Sequence, residues 1–217
     1  MPDYAAQRFN MVASQLLANG VTDESVLDAA RAVPREAFVP KEKRSVAYAD
    51  APIELARGRW LLEPRTFGKM LQLAEIKPSD RVLDVACATG YSTAVLARIA
   101  RKVVGLEQDA DFVRVGSDAL RQIGATNASI VQGSFADGCP AEAPFDAIIV
   151  NGAIEVRPQI LLAQLSENGR LAAITQRDAA GQATLYLKEE GRVGWRFAFD
   201  ASTPVLAGFR QAAGFVF

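Results

Sequence analysis

Histidine is missing altogether from this chain of 217 residues. Without it, a Ser-His-Asp or Cys-His nucleophile, a histidine metal cluster and a histidine general base are all excluded. Cysteine is scarce. Cys87 and Cys139 are the only two and form no C-x-x-C pair, which argues against a disulfide framework or a zinc site, so no metal is expected. No apolar run approaches the roughly 20 residues that a membrane-spanning helix needs. The start Met1-Pro2-Asp3-Tyr4 lacks the basic and apolar regions of a signal peptide. The expectation is a soluble, cytoplasmic protein with no membrane partner. Neither sign of charge dominates: 24 basic residues face 25 acidic ones without a basic run, so nucleic acid is not expected as the main partner.

What is present is a hydrophobic half of the composition, enough for one sizeable core. Helical spacing over residues 4–17 stops at Asn19-Gly20, and Thr22 or Asp23 can cap a second helix running towards Pro34. From Arg81 onward, strands alternate with helices: strand 81–85, helix 91–100, strand 103–106, helix 110–123, strand 129–131, strand 147–150, helix 158–165, a turn at Asn168-Gly169 and strand 171–174. Alternation of this kind predicts a parallel sheet with right-handed crossovers. Residues 184–187 and 193–199 flank Glu189-Glu190-Gly191-Arg192, a hairpin signal that adds antiparallel strands at the edge. The predicted fold is α/β: a Rossmann-like sheet, mostly parallel, with a C-terminal antiparallel hairpin and an N-terminal helical extension. Residues 1–75 are read as helices and a substrate loop, and 76–217 as the core, in one compact unit.

The run Arg81-Val82-Leu83-Asp84-Val85-Ala86-Cys87-Ala88-Thr89-Gly90-Tyr91 is an apolar strand breaking into small residues and then a helix. Small residues there let the backbone approach a ligand and turn into a helix N-terminus. The spacing Ala86-x-Ala88-x-Gly90 fits a small-x-small-x-small S-adenosylmethionine loop better than the dinucleotide fingerprint. The bland alternative is close strand-to-helix packing. Methyl transfer from a sulfonium tolerates the absence of histidine, because a carboxylate acceptor is already ionised and positioning is the main task. Ligands of open α/β sheets lie outside the strand carboxyl ends. That rule gathers Asp84, Ala86, Ala88, Gly90, Tyr91, Glu107, Gln108, Gly133, Ser134 and Phe135 as cofactor-binding candidates. Glu107 can accept from both ribose hydroxyls, or be a solvated acid at a strand end. Asp84 is either a structural acid or a ligand contact, and Phe135 either packs on adenine or belongs to the core.

Val33-Pro34-Arg35-Glu36-Ala37-Phe38-Val39-Pro40, followed by Ala47-Tyr48-Ala49-Asp50-Ala51-Pro52, resembles the N-terminal signature of the protein-L-isoaspartate O-methyltransferase family. Residues 144–150, 161–165 and 169–171 resemble its later core. The resemblance covers nearly the whole chain and implies a class I fold, S-adenosylmethionine as cofactor and a peptide or protein carboxylate as acceptor. The departures are local. The family has threonine-isoleucine-serine, one residue and proline in its substrate loop. Aligned on Pro64, this chain has Trp60-Leu61-Leu62-Glu63, so Leu62 stands at the serine's place and no catalytic residue is assigned. Ser134 replaces an acid, and Ala88 stands in a loop that is richer in glycine in the family.

Substrate-side candidates are therefore Arg57, Arg59, Trp60 and Leu62. The two arginines either clamp an acceptor carboxylate or are solvated surface residues. Leu62 cannot donate a hydrogen bond, which predicts weak or absent transfer to isoaspartyl peptides. The leading reading is a divergent methyltransferase. The alternative is a non-catalytic descendant that binds S-adenosylmethionine or a protein partner. A nicotinamide oxidoreductase is a weaker third, disfavoured by the loop spacing.

Overall fold

A computed structural model describes residues 2–56, 58–177 and 180–211. The N-terminal segment opens with α1 (Tyr4–Met11), capped by Asp3, which accepts from the Ala6 N–H at 3.0 Å. The chain keeps winding to Asn19 and stops at Gly20, whose φ of 84° ends the helix in the left-handed region. Of the two cap candidates, Asp23 serves α2 (Glu24–Ala32), accepting from the N–H groups of Ser25 and Val26. A small hairpin follows, β1 (Ile53–Ala56) and β2 (Arg59–Leu61), forming a two-stranded sheet of its own.

Next comes α3 (Pro64–Ala74), where only a substrate loop and its proline were expected. Pro64, Phe67, Leu71 and Ala74 are buried at helical spacing, and Pro64 starts the helix where no donor is required. Gly68 brings the helix against Leu16 and Val21, because a Cβ there would lie 3.3 Å from each.

The core elements are β3 (Arg81–Val85), α4 (Tyr91–Ala97), β4 (Lys102–Glu107), α5 (Ala110–Gln122), β5 (Ala128–Gln132), β6 (Phe145–Ile154), α6 (Gln159–Ala163), β7 (Leu165–Arg177), β8 (Ala180–Glu189) and β9 (Arg192–Asp200). They build one seven-stranded sheet in the order β5-β4-β3-β6-β7-β8-β9. Pairings through β7 are parallel, while β8 and β9 are antiparallel. This is the expected α/β architecture with its C-terminal antiparallel hairpin.

Boundaries move for local reasons. Helix α4 ends at Ala97 rather than 100, and the side-chain amide of Asn127 satisfies the freed Ala97 and Ala100 carbonyls, each at 3.0 Å. Asn168-Gly169 is not a free turn but a kink inside β7. Asn168 has a φ of 60°, and a Cβ on Gly169 would lie 2.8 Å from the Ser166 carbonyl. One face of the sheet packs with the N-terminal helices and α3 in a cluster running from Met11 to Leu185. The opposite face packs around Phe135, Phe145 and Phe209.

Candidate active site

Strand order reverses between β3 and β6, so their carboxyl ends frame the crevice where an open α/β sheet takes its ligand. The turn leaving β3 alternates in hand. Ala86, Ala88 and Gly90 have φ of 60°, 48° and 88°. The small-residue spacing noted in the sequence is therefore a backbone requirement at every second position. Glycine meets it freely, whereas each alanine there costs on the order of 1–2 kcal/mol. The turn is held by the Ala86 and Cys87 N–H groups donating to the Leu106 carbonyl at 2.9 and 3.3 Å.

Glu107 ends β4 and is fully buried, so it is not a solvated acid. Its Oε1 accepts from the N–H groups of Gln108 (2.8 Å) and Asp109 (3.1 Å), and its Oε2 from Ala88 N–H (2.8 Å). Arg59 of β2 completes the set, with Nη1 on Oε1 and Nη2 on Oε2, both at 2.6 Å. The same guanidinium reaches the Ala86 carbonyl at 3.2 Å and lies 5.0 Å from the Phe135 ring centre and 5.5 Å from that of Phe112. Arg59, expected at the surface or on an acceptor carboxylate, is paired here with the chain's own buried acid. Arg57 lies outside the described residues.

Asp84 ties the crevice floor together. Its Oδ2 accepts from the hydroxyls of Ser92 (2.7 Å) and Thr93 (2.6 Å), and its Oδ1 from the Asn151 amide (2.6 Å). Burial pushes its pKa up to about 6, against the pull of those three hydrogen bonds. Asn151 also donates to the Val85 carbonyl at 3.0 Å, locking β6 to β3 at the point of reversal. Sequence reading missed it. Its signal was available: it is the polar residue that follows the apolar run Ile148-Ile149-Val150.

Tyr91 is buried, its ring 5.8 Å from Phe38, 5.9 Å from Phe67 and 4.8 Å from the guanidinium carbon of Arg35. Arg35, which the sequence offers only within the signature at residues 33–40, is fully buried against this site. Its Nε donates to the Ala47 carbonyl (2.8 Å) and its Nη2 to the Leu62 carbonyl (2.7 Å), which fixes the segment entering α3, while its buried Nη1 has no hydrogen-bond partner among the described residues. Burial lowers its pKa, opposed by Tyr91 and Tyr48.

Arg35, Trp60, Leu62, Ala86, Ala88 and Asn151 are among the residues around a cavity of about 10 Å³, roughly the room for a single water. Gly133 and Ser134, just beyond β5, are half-buried and not among the residues lining this cavity, Gln108 is exposed, and Phe135 is buried beneath Arg59. A far larger groove, about 830 Å³, lies between Glu167, Leu187, Arg192 and Trp195. It opens at the β8–β9 turn, the end of the sheet opposite the parallel strands' carboxyl ends, and holds none of these groups. The small cavity is therefore the candidate site. Among the described residues no helix is long and apolar enough to cross a membrane.

Most of the chain is similar to known proteins. Residues 7–196 match the family model described as protein-L-isoaspartate(D-aspartate) O-methyltransferase. A protein-L-isoaspartate O-methyltransferase of Methylorubrum extorquens is 41% identical over 192 residues, covering 88% of this chain and 83% of that one. One from Methanoculleus marisnigri is 38% identical over 187 residues, with 86% and 85% covered. Among solved structures, a protein-L-isoaspartate O-methyltransferase superposes with a TM-score of 0.81 at 21% identity, over 93% of this chain and 66% of that one. A Plasmodium falciparum chain crystallised in complex with S-adenosyl-L-homocysteine superposes with a TM-score of 0.80 at 22% identity, over 95% and 99%. These two likenesses establish the fold.

Proposed function

Because the chain belongs to the protein-L-isoaspartate O-methyltransferase family, we propose that it transfers the methyl group of S-adenosylmethionine to a protein carboxylate, that of an isoaspartyl residue being the acceptor its relatives' names point to. The observation that carries the reading is the buried Glu107 at the tip of β4, facing a turn whose residues are left-handed at every second position. The donor set fits the cofactor. A strand-tip carboxylate suits a ribose diol, Ser134 suits the nucleoside, and Arg35 keeps a buried Nη1 unpartnered beside the cavity. S-adenosylmethionine would supply an electrophilic methyl group on a sulfonium.

The chain's own residues have the remaining work of positioning and excluding water. Glu107 would hold the nucleoside end and Phe135 would flank the base. Asp84 and Asn151 keep the crevice floor rigid through their mutual hydrogen bond, and Trp60 and Leu62 would border the acceptor. An acceptor carboxylate is already ionised, so a chain without histidine needs no base for this step. Two unpaired cysteines accord with a cytoplasmic protein.

Calorimetric titration with S-adenosylmethionine and with S-adenosylhomocysteine tests the cofactor assignment. Binding of both is expected, and no heat together with no thermal shift at millimolar ligand overturns it. Labelled-methyl transfer to an isoaspartyl peptide, run beside a relative that keeps the serine, tests the acceptor. Weak turnover is expected, because Leu62 offers no hydrogen bond to an incoming charge. A second reading, a descendant that binds without catalysing, is favoured by that same Leu62, and cofactor binding with no transfer to any peptide would establish it.

A further inference from the structure

We infer that Arg59 is an internal competitor for the nucleoside subsite, so that cofactor affinity is set by how readily the β1–β2 hairpin withdraws it. The inference rests on the cofactor reading above. Five donors converge on the two oxygens of Glu107: three backbone N–H groups and both Nη atoms of Arg59. A carboxylate offers about four lone-pair sites. Glu107 is thus saturated, and a ribose diol can bind it only by displacing a donor.

The three N–H groups belong to the loops leaving β3 and β4 and are fixed by the main sheet. Arg59 alone comes from elsewhere, a two-stranded hairpin that shares no pairing with that sheet. Its guanidinium also lies against Phe135 and Phe112, the apolar surface that a flat base would otherwise cover. Arginine therefore occupies both requirements of the subsite at once, the charged oxygens and the ring faces.

Displacement has a consequence for the acceptor side. Trp60 and Leu61 continue β2 directly from Arg59, and Leu62 follows. Withdrawing Arg59 shifts its neighbour Trp60, which lines the 10 Å³ cavity, while Leu62 stays anchored through its carbonyl by Arg35. Cofactor binding and opening of the acceptor pocket are then one event, with the cofactor binding first. When only a fraction of molecules is open, apparent affinity falls by that fraction.

The test compares wild type with Arg59→Gln and Arg59→Lys, titrated calorimetrically with S-adenosylhomocysteine so that no turnover intervenes. Glu107 keeps its three N–H donors in both variants, and thermal unfolding checks that each is folded. Lysine keeps the charge but loses the two-pronged contact, so it carries the comparison if the glutamine variant does not fold. Arg59→Gln is expected to bind at least tenfold more tightly than wild type, with Arg59→Lys between them.

Trp60 reports on the hairpin in a Trp195→Phe background, since the chain has two tryptophans. Its emission is expected to change on saturation of the wild type and to be already changed in ligand-free Arg59→Gln. Equal or weaker affinity in the folded variants overturns this proposal and leaves the cofactor reading standing. An unchanged Trp60 signal on saturation overturns the coupling to the acceptor side. Absence of binding by all three proteins overturns the cofactor reading and this inference together.

Discussion

Asp84 and Ala88 illustrate two ways in which a single residue carries the site at a cost. The folded chain holds the Asp84 proton more tightly than the unfolded chain does, its pKa rising from 3.8 to about 6. The stability this contributes is fully present below about pH 3.8 and is lost as pH rises through about 6, on the order of 3 kcal/mol. Asp84→Asn removes that titration. Urea-unfolding midpoints of wild type and variant, measured from pH 4 to 7, are expected to diverge in the direction that disfavours the wild type as pH rises. Parallel curves would mean that Asp84 is ionised throughout. At Ala88, the φ of 48° strains any residue with a side chain. Ala88→Gly relieves that strain but gives the unfolded chain more freedom, worth about 0.5–1 kcal/mol. The expected net effect is a small gain, a Tm raised by about 2 °C in calorimetric scans. A lowered Tm would show that the alanine packs more favourably than its backbone geometry indicates.

Among the elements, the β1–β2 hairpin has the most consequence for function, held by side chains such as Ile53, Leu55 and Leu61 in the core and by Arg59 on Glu107. Among the described residues its strands pair only with each other, and the segment running on to α3 is pinned at Leu62 by the Nη2 donation of Arg35 to that residue's carbonyl at 2.7 Å. That bond involves the backbone of Leu62, so changing the side chain leaves the anchor intact. Leu62→Ser is therefore expected to keep its position while losing about 1–3 kcal/mol of buried apolar contact. It is expected to increase labelled-methyl transfer to an isoaspartyl peptide, because a hydroxyl then faces the cavity. A variant that is folded, binds cofactor and transfers no faster than wild type would show that the lost hydroxyl is not what limits the acceptor side.

At the scale of the molecule, Arg170 joins parts that the strand order alone leaves separate. From β7 it donates to the carbonyls of Ala74 and Glu75 at the end of α3, to the Asp146 carbonyl of β6 at 2.9 Å, and to the buried carboxylate of Asp80. The helix that follows the substrate segment is thereby bolted to the centre of the sheet. Removing one partner of a buried pair leaves an uncompensated charge, which costs about 3–5 kcal/mol. Arg170→Met is expected to lose stability on that scale in urea unfolding. Replacing Arg170 and Asp80 together is expected to cost less than Arg170→Met alone. A cost below 1 kcal/mol for the single variant would show that solvent reaches Asp80.

Much of this protein was legible in the order of its residues. The alternation from Arg81 onward and the edge hairpin around Glu189-Glu190-Gly191-Arg192 follow from local hydrophobic period and turn chemistry, which act over a few residues and need no tertiary partner. The small residues at 86, 88 and 90 were equally visible, since a left-handed backbone is strained for most side chains and free only for glycine. Helix α3 escaped because its apolar spacing adjoins Trp60-Leu61-Leu62, a run read as a loop. Asn151 and Arg35 escaped because their partners lie far away in sequence: Asn151 meets Asp84, and Arg35 reaches Ala47 and Leu62. The pairing of Arg59 with Glu107 joins residues 48 positions apart. Nothing local foretells it, since either side chain alone would be stable in water. Only the closure of the hairpin over the strand ends, which takes both groups out of solvent, makes each the other's necessary partner.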